Sequence, residues 1–541
     1  GTVIFASGGR LYRQELTGGE ARPITPALGA VASPKLSPDG RWVLFIQSAE
    51  RKDCLAAVDA EGKQWPVRLA QGRDFYMQPR WSTDGSQVAW IAWDHPNMPW
   101  DGTELWLARF SAEESGPRLS DERRLAGGAD VAIFQPEFAG DALAYVADAG
   151  GWGQIYRQPA DGGEATRVTG GFGEYGRPAW QQGQQSFAVL ADGRLTCVRS
   201  FRGEHTAQLV EIGSSEPRDM RELAGYTTID YLTATADGSR LGVVASGPRT
   251  PPRVLSFELP NGPLRVLARS TGETVPAAAL AQPEAVEWTS FDGETAHGIF
   301  YPPASSRFTS PGKPPLVALI HGGPTSQVTL SYNPQAQFLA TRGYAVLLVN
   351  YRGSTGYGRE YMLKLRKSWG VYDVEDARTG CEALAERGLV DGRRRVIMGG
   401  SAGGFTVLQS LVTHPGFYTA GVCLFGVSNQ FTLVQDTHKF EERYSDSLLG
   451  PLPEAADLYR ERSPVFHADR MQDPIIVFQG DSDQVVPPSQ SEEIVGSLRS
   501  RGVPHEYHVF AGEGHGWRKT ETVERFYALL DRFLRQYVVY A

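Results

Sequence analysis

The sequence predicts an all-β propeller over residues 1–280 and an α/β domain on a mostly parallel sheet over residues 281–541. Three observations carry that division. A turn phrase centred on Asp-Gly recurs through the first half, apolar runs of strand length alternate with amphipathic helices in the second, and one such run breaks into Gly399-Gly400-Ser401-Ala402-Gly403. A chain of 541 residues also exceeds what a single core organises, so two or more domains are expected.

The recurring phrase appears at residues 36–45, 81–90 and 235–243, with degenerate copies near 138–141 and 180–183. Asp-Gly between alternating apolar runs is a strong hairpin signal, read here as a tight turn with both central residues at positive φ. Second hairpins follow inside the units, as where residues 154–158 lead into Asp161-Gly162-Gly163 and on to residues 165–169. Two hairpins make about four strands per unit at a period of roughly 45–55 residues, and about five units are recognisable, the pattern of a propeller. A β-sandwich with hairpin turns is the alternative.

The texture changes near residue 280. Fully apolar strands are expected at residues 316–320, 345–349, 395–398, 421–425, 475–478 and 506–510, with helices at 373–387, 403–413, 489–501 and 521–537. Strands apolar on both faces, each followed by a crossover helix, make a parallel sheet covered on both sides. The active site of such a sheet forms at the carboxyl ends of its strands.

Several candidate residues fall at those ends. At Ser401 a strand turns into a helix through a G-x-S-x-G elbow, whose glycines allow a bend that a Cβ would obstruct and push the serine into a cleft. A serine hydroxyl needs a base, so an acid and a histidine are expected downstream, in that order. Asp483 follows the strand at 475–478, and His515, framed by Gly514 and Gly516, follows the strand at 506–510. Asp481 and Asp483 each have a competing use as a cap for the helix after Pro488, and Asp483 is preferred as the acid. His321-Gly322-Gly323-Pro324 ends the first apolar strand, where the backbone N–H of Gly323, with that of Ala402, is placed to stabilise a developing oxyanion. This arrangement defines an α/β-hydrolase domain. It needs no cofactor and no metal.

Composition narrows the partners. The net charge of −9 is dispersed and no basic patch is interleaved with aromatics, which argues against nucleic acid. No apolar run approaches the ~18 residues of a membrane span, so no membrane partner is expected. Cys54, Cys197, Cys381 and Cys423 lack metal-ligand or C-x-x-C spacing and are expected as buried free thiols in a reducing, cytoplasmic setting. The oligomeric state, homo-oligomer included, is left open.

The His-Gly-Gly-Pro, Gly-Gly-Ser-Ala-Gly-Gly, Gly-x-x-Asp-x-x-Val-Pro and Gly-Glu-Gly-His-Gly motifs behind a propeller resemble the prolyl oligopeptidase family of serine peptidases. Within it they are similar to the acylaminoacyl-peptidase and dipeptidyl-aminopeptidase branch, and residues 437–444 resemble its bacterial aminopeptidases. The resemblance implies Ser401, Asp483 and His515 as a triad, Gly323 and Ala402 as oxyanion donors, and short peptides as substrates, with the propeller covering the cleft. It also implies seven blades. With five units recognised and an opening at Gly1-Thr2-Val3 that lacks Met, an upstream portion is expected. One departure is Val485, where several members carry Arg or Asn that grips a substrate carbonyl.

Specificity is less legible. An aminopeptidase must neutralise a free ammonium, for which Glu441 and Glu442 are candidates. Phe405, Phe425 and Trp517 flank the motifs as candidates for an apolar substrate pocket. The expected activity is removal of an N-terminal residue, acylated or free. The rivals are a carboxylesterase with the same triad and a propeller binding scaffold with a vestigial hydrolase domain.

Overall fold

The computed structural model describes residues 1–540 except 28, 114–115 and 214–216. Six antiparallel sheets follow one another in the first part of the chain, one of three strands over residues 2–23 and five of four strands over 30–70, 75–127, 133–167, 187–219 and 228–269. These are six propeller blades, one more than the turn phrase reveals. The blade over residues 2–23 carries no Asp-Gly phrase, and its strands Thr2–Ser7 and Arg10–Glu15 turn instead through Gly8-Gly9.

The hairpin turns differ from the expected form. At residues 37–40 only Gly40 has positive φ, and the Gly40 N–H closes the turn on the Ser37 carbonyl at 2.9 Å. Asp39 accepts the Ser37 hydroxyl at 2.5 Å and the Arg41 N–H at 3.1 Å. Asp84 and Asp237 are engaged by their serine and threonine neighbours in the same way. Side-chain acceptance of local donors stabilises this wider turn, so the aspartate keeps ordinary backbone angles.

The second part is an eight-stranded sheet: β1 (Glu284–Thr289), β2 (Thr295–Tyr301), β3 (Leu316–Ile320), β4 (Ala345–Asn350), β5 (Arg395–Gly400), β6 (Ala420–Leu424), β7 (Ile475–Gly480) and β8 (His505–Phe510). Their spatial order is β1-β2-β4-β3-β5-β6-β7-β8, parallel except for the pairs β1-β2 and β2-β4. Alternate residues feed separate cores on the two faces. Leu347, Ile397 and Val477 face α1 (Tyr372–Glu386), α2 (Ala402–Thr413) and α3 (Pro488–Arg501), while Val346, Val396 and Phe478 face α4 (Thr520–Leu534). Burial on both faces explains why these strands read as continuous apolar runs. No helix among the described residues is long and apolar enough to cross a membrane.

The propeller is clasped to the sheet domain by charged and aromatic contacts. Arg359 pairs with Asp148 and donates to the carbonyls of Trp100 and Asp101, while Arg366 reaches Asp101 at 2.9 Å. Trp180 Nε1 donates to the Thr325 carbonyl at 2.7 Å. Beside this clasp lies Glu174, whose carboxylate accepts the Gly153 N–H at 2.8 Å. Burial pushes its pKa up to about 7, against the lowering effect of that N–H. An acid whose pKa is higher folded than unfolded contributes most stability below its unfolded pKa, and the contribution is lost as pH rises toward the folded value. Between pH 4.5 and 7 the melting temperature of Glu174→Gln should therefore fall less than that of the parent. Identical slopes would exclude Glu174 as a contributor.

Candidate active site

The elbow has the geometry its glycines anticipate. Ser401 lies at φ 58°, ψ −125°, outside the usual regions for an L-residue, and its N–H is held by the Leu424 carbonyl at 3.0 Å. A Cβ on Gly403 would stand 2.3 Å from the Ile320 carbonyl oxygen, so only glycine lets α2 start against the end of β3. The strained serine is thus held at the head of a largely buried helix whose N-terminal dipole favours negative charge.

Asp483 and His515 meet. The His515 Nδ1 to Asp483 Oδ2 distance is 2.7 Å, the Asp483 side chain is fully buried, and its Oδ1 accepts the N–H groups of Val485 and Val486 at 2.9 and 3.0 Å. Helix α3 has no side-chain cap at its start, so capping does not account for Asp483. Asp481 is exposed and bonds to Ser482 and the Gly512 N–H instead. The His515 loop is anchored by buried Glu513, which accepts the N–H groups of Arg518 and Lys519 at 3.0 Å. Phe425 lies against the imidazole, ring centroids 4.5 Å apart, and is backed by Trp517 at 5.4 Å.

The His-Gly-Gly-Pro loop closes over the serine. A Cβ on Gly322 would sit 3.3 Å from Ser401 Cβ, and Gly323, Pro324, Ser401 and Ala402 line one cavity. Burial pushes His321 down to about 4. Its ring stacks on Tyr351 and bonds to Ser354 Oγ at 2.8 Å, so it is a neutral structural imidazole that braces the loop. The Tyr444 hydroxyl accepts the Thr325 N–H at 3.1 Å and lies 2.6 Å from Thr325 Oγ1, fixing the residue after the proline.

The remaining cavity wall is largely apolar, with Trp369, Val427, Leu433, Leu448 and Val485 among its residues. One carboxylate interrupts it. Glu441 lines the cavity, and burial raises its pKa against the opposing pull of His438 and His515. Among the described residues its one ion-pair neighbour is His438, at 3.9 Å. Glu442 points elsewhere and pairs with Arg51 of the propeller. Phe405 is fully buried beneath the cavity against Trp369, with ring centroids 4.4 Å apart, so it does not line the pocket. Phe425 and Trp517 support His515 and are likewise absent from the cavity lining.

Sequence reasoning did not single out Trp369, Val427, Leu433 or Leu448, which converge from separate segments. The propeller's Trp100 and Trp180 were missed too. Both back the Tyr444 ring, with centroids 5.5 and 5.7 Å away. No local pattern marks these residues as neighbours of the serine.

Comparison with known proteins agrees with this architecture. The chain belongs to the prolyl oligopeptidase family, whose model matches residues 330–539. Among solved structures it is similar to puromycin hydrolase, at 37% identity and TM-score 0.91, covering 98% of this chain and 84% of that one. A puromycin-hydrolyzing peptidase of Mycobacterium tuberculosis gives 32% identity and TM-score 0.93, covering 99% and 84%. Dipeptidyl aminopeptidase BIII of Pseudoxanthomonas mexicana is 31% identical over 326 residues, 58% of this chain and 47% of that protein. The acylamino-acid-releasing enzyme of Arabidopsis thaliana is 32% identical over 227 residues, 40% of this chain and 30% of that protein. The chain thus spans about half, or less, of the length of these curated relatives.

Proposed function

We propose that the protein is a serine peptidase that removes an unblocked N-terminal residue from short peptides through an acyl-enzyme on Ser401. The observation that carries the free-amine reading is Glu441, the one carboxylate in a largely apolar cavity beside the serine and without an Arg or Lys partner among the described residues. Burying such a charge is costly unless a cation meets it, and the α-ammonium of a substrate supplies one.

In this reading His515 takes the Ser401 proton as Oγ attacks the carbonyl, and Asp483 holds the imidazole through Nδ1 and stabilises its charged form. The N–H groups of Gly323 and Ala402 receive the oxyanion. The protonated histidine then gives its proton to the leaving amine, and water, activated by the same base, releases the amino acid. The four cysteines are buried free thiols, which fits a reducing, cytoplasmic location.

The test compares a free aminoacyl p-nitroanilide, its N-acetyl counterpart, a dipeptidyl p-nitroanilide and a p-nitrophenyl ester. The parent should prefer the free aminoacyl amide. Glu441→Gln should lower kcat/KM on it by about 10- to 100-fold, the value of a charge-assisted hydrogen bond, while the acetylated amide changes little. Preference for the acetylated amide would make the protein an acylaminoacyl peptidase, and cleavage of the ester alone would overturn the peptidase reading.

A further inference from the structure

The short turn that carries Glu441 belongs by sequence to the sheet domain, yet the side chains on either side of Glu441 are held by the propeller. Residues Lys439–Glu441 form one 3₁₀ turn, closed by the Glu441 N–H on the His438 carbonyl at 3.0 Å and the Glu442 N–H on the Lys439 carbonyl at 3.3 Å. With three residues per turn, positions 439 and 442 fall on one side of it and 441 on another. Lys439 and Glu442 accordingly reach the propeller, while Glu441 lines the cavity beside Ser401.

These contacts are built from partly buried groups. Lys439 Nζ lies 3.1 Å from Asp53 Oδ1, donates to the Asp74 carbonyl and sits 4.5 Å from the Phe75 ring centroid. The two side chains of the ion pair are only 17% and 11% exposed, so removing either leaves the other with little solvent to replace it. Phe440 enters a cluster of propeller rings, with the centroids of Phe75, Trp180, Trp100 and Trp93 at 5.9, 6.0, 6.4 and 6.5 Å. Glu442 adds its pair with Arg51, which is about half exposed and contributes little. Among the described residues, every ion pair and ring pair of these three side chains goes to the propeller.

Ser401, Asp483 and His515 are anchored differently. The Ser401 N–H bonds to Leu424, His515 to Asp483, and Asp483 to Val485 and Val486, all within the sheet domain. The groups proposed for the chemistry are therefore assembled inside one domain, whereas the carboxylate proposed for the ammonium hangs on contacts with the other. We propose that the propeller positions Glu441 through Lys439, with Asp53 as the anchor, so that recognition of a substrate's free ammonium depends on both domains. The inference rests on the free-amine reading above. Lys439 and Asp53 are positioning residues, since neither lines the cavity. The direction of the effect separates position from charge. Taking a cation away from the neighbourhood of Glu441 would by itself favour ammonium binding, whereas losing the anchor moves the carboxylate off the ammonium and weakens binding.

The experiment measures kcat and KM on a free aminoacyl p-nitroanilide and on p-nitrophenyl acetate, which carries no ammonium, for the parent, Lys439→Met, Asp53→Ala, Glu441→Gln and each of the first two combined with the third. Lys439→Met and Asp53→Ala should each raise KM on the anilide by about 3- to 10-fold, part of the loss from removing the carboxylate itself. Their kcat should stay within about twofold of the parent, the mark of binding shared by ground and transition states. Rates on p-nitrophenyl acetate should be unchanged. In the Glu441→Gln background neither substitution should raise KM further, because the effect passes through the carboxylate. Equal losses on both substrates, a further rise of KM in that background, or an unchanged or lower KM in the single variants would overturn the proposal. The free-amine reading stands in those cases if Glu441→Gln alone lowers kcat/KM on the anilide, and both fall if it does not.

Discussion

Asp483→Asn should lower kcat by about four orders of magnitude while the protein stays folded, because an amide at this position favours the wrong imidazole tautomer and cannot stabilise the imidazolium. The side chain is buried with both oxygens committed, Oδ2 to His515 and Oδ1 to two backbone N–H groups. Asparagine can keep either set of contacts only by presenting its oxygen to one and its NH₂ to the other. If the oxygen stays with Val485 and Val486, the NH₂ faces His515 and obliges Nδ1 to accept, so Nε2 carries the proton it should remove from Ser401. The measurement is steady-state turnover of an aminoacyl p-nitroanilide, with circular dichroism to confirm the fold. A rate within tenfold of the parent would remove Asp483 from the triad. The parallel variant Asp481→Asn should be near neutral, since Asp481 is exposed, bonds to Ser482 and the Gly512 N–H, and has no contact with His515.

The largest expected effect on stability lies away from the serine. Arg352→Met should cost about 3–5 kcal/mol, because it leaves buried Asp376 without its counter-ion. Arg352 is 1% exposed, and its guanidinium donates to Asp376 through Nη2 at 2.6 Å and Nε at 3.1–3.2 Å, and to Asp292 through Nη1 at 2.5 Å. It also lies over the Tyr372 ring, 4.2 Å from the centroid. Asp376 sits on α1, whereas Asp292 lies in the turn between β1 and β2, so the arginine ties the antiparallel edge of the sheet to the helix covering it. Thermal or urea unfolding of the variant should show a clear downward shift. The double variant Arg352→Met, Asp376→Leu should recover much of the loss, since replacing both charges by apolar groups avoids the stranded carboxylate. A single variant as stable as the parent would show that solvent reaches Asp376.

The order Ser401, Asp483, His515 and the glycines around them were readable in one dimension because each obeys a local rule. A strand must turn into a helix at the elbow, and a loop must follow each apolar run. The sheet domain was equally legible, since strands buried on both faces leave apolar runs that need no alternation. The propeller was read more coarsely. Its Asp-Gly turns were found, but their backbone form was misread, because the carboxylate's local hydrogen bonds substitute for the left-handed aspartate that the dipeptide suggests.

Pocket residues follow no such rule. Glu441 and Glu442 are adjacent and chemically identical, yet one faces the serine's cavity and the other pairs with Arg51, nearly 400 residues earlier. Phe405 lies four positions after Ser401 but is turned into the core by the helix it belongs to. Trp180 lies in a connection between two blades that no sequence pattern marks, and it acquires its place through the docking of the propeller on the segment after His321-Gly322-Gly323-Pro324. Sequence alone determined the two fold classes and the places of Ser401, Asp483 and His515 at the ends of strands, since periodicity and glycine placement are local constraints on the backbone. Tertiary structure decided which carboxylate lines the cavity beside Ser401 and which aromatics are core, because these depend on contacts between residues far apart in the sequence.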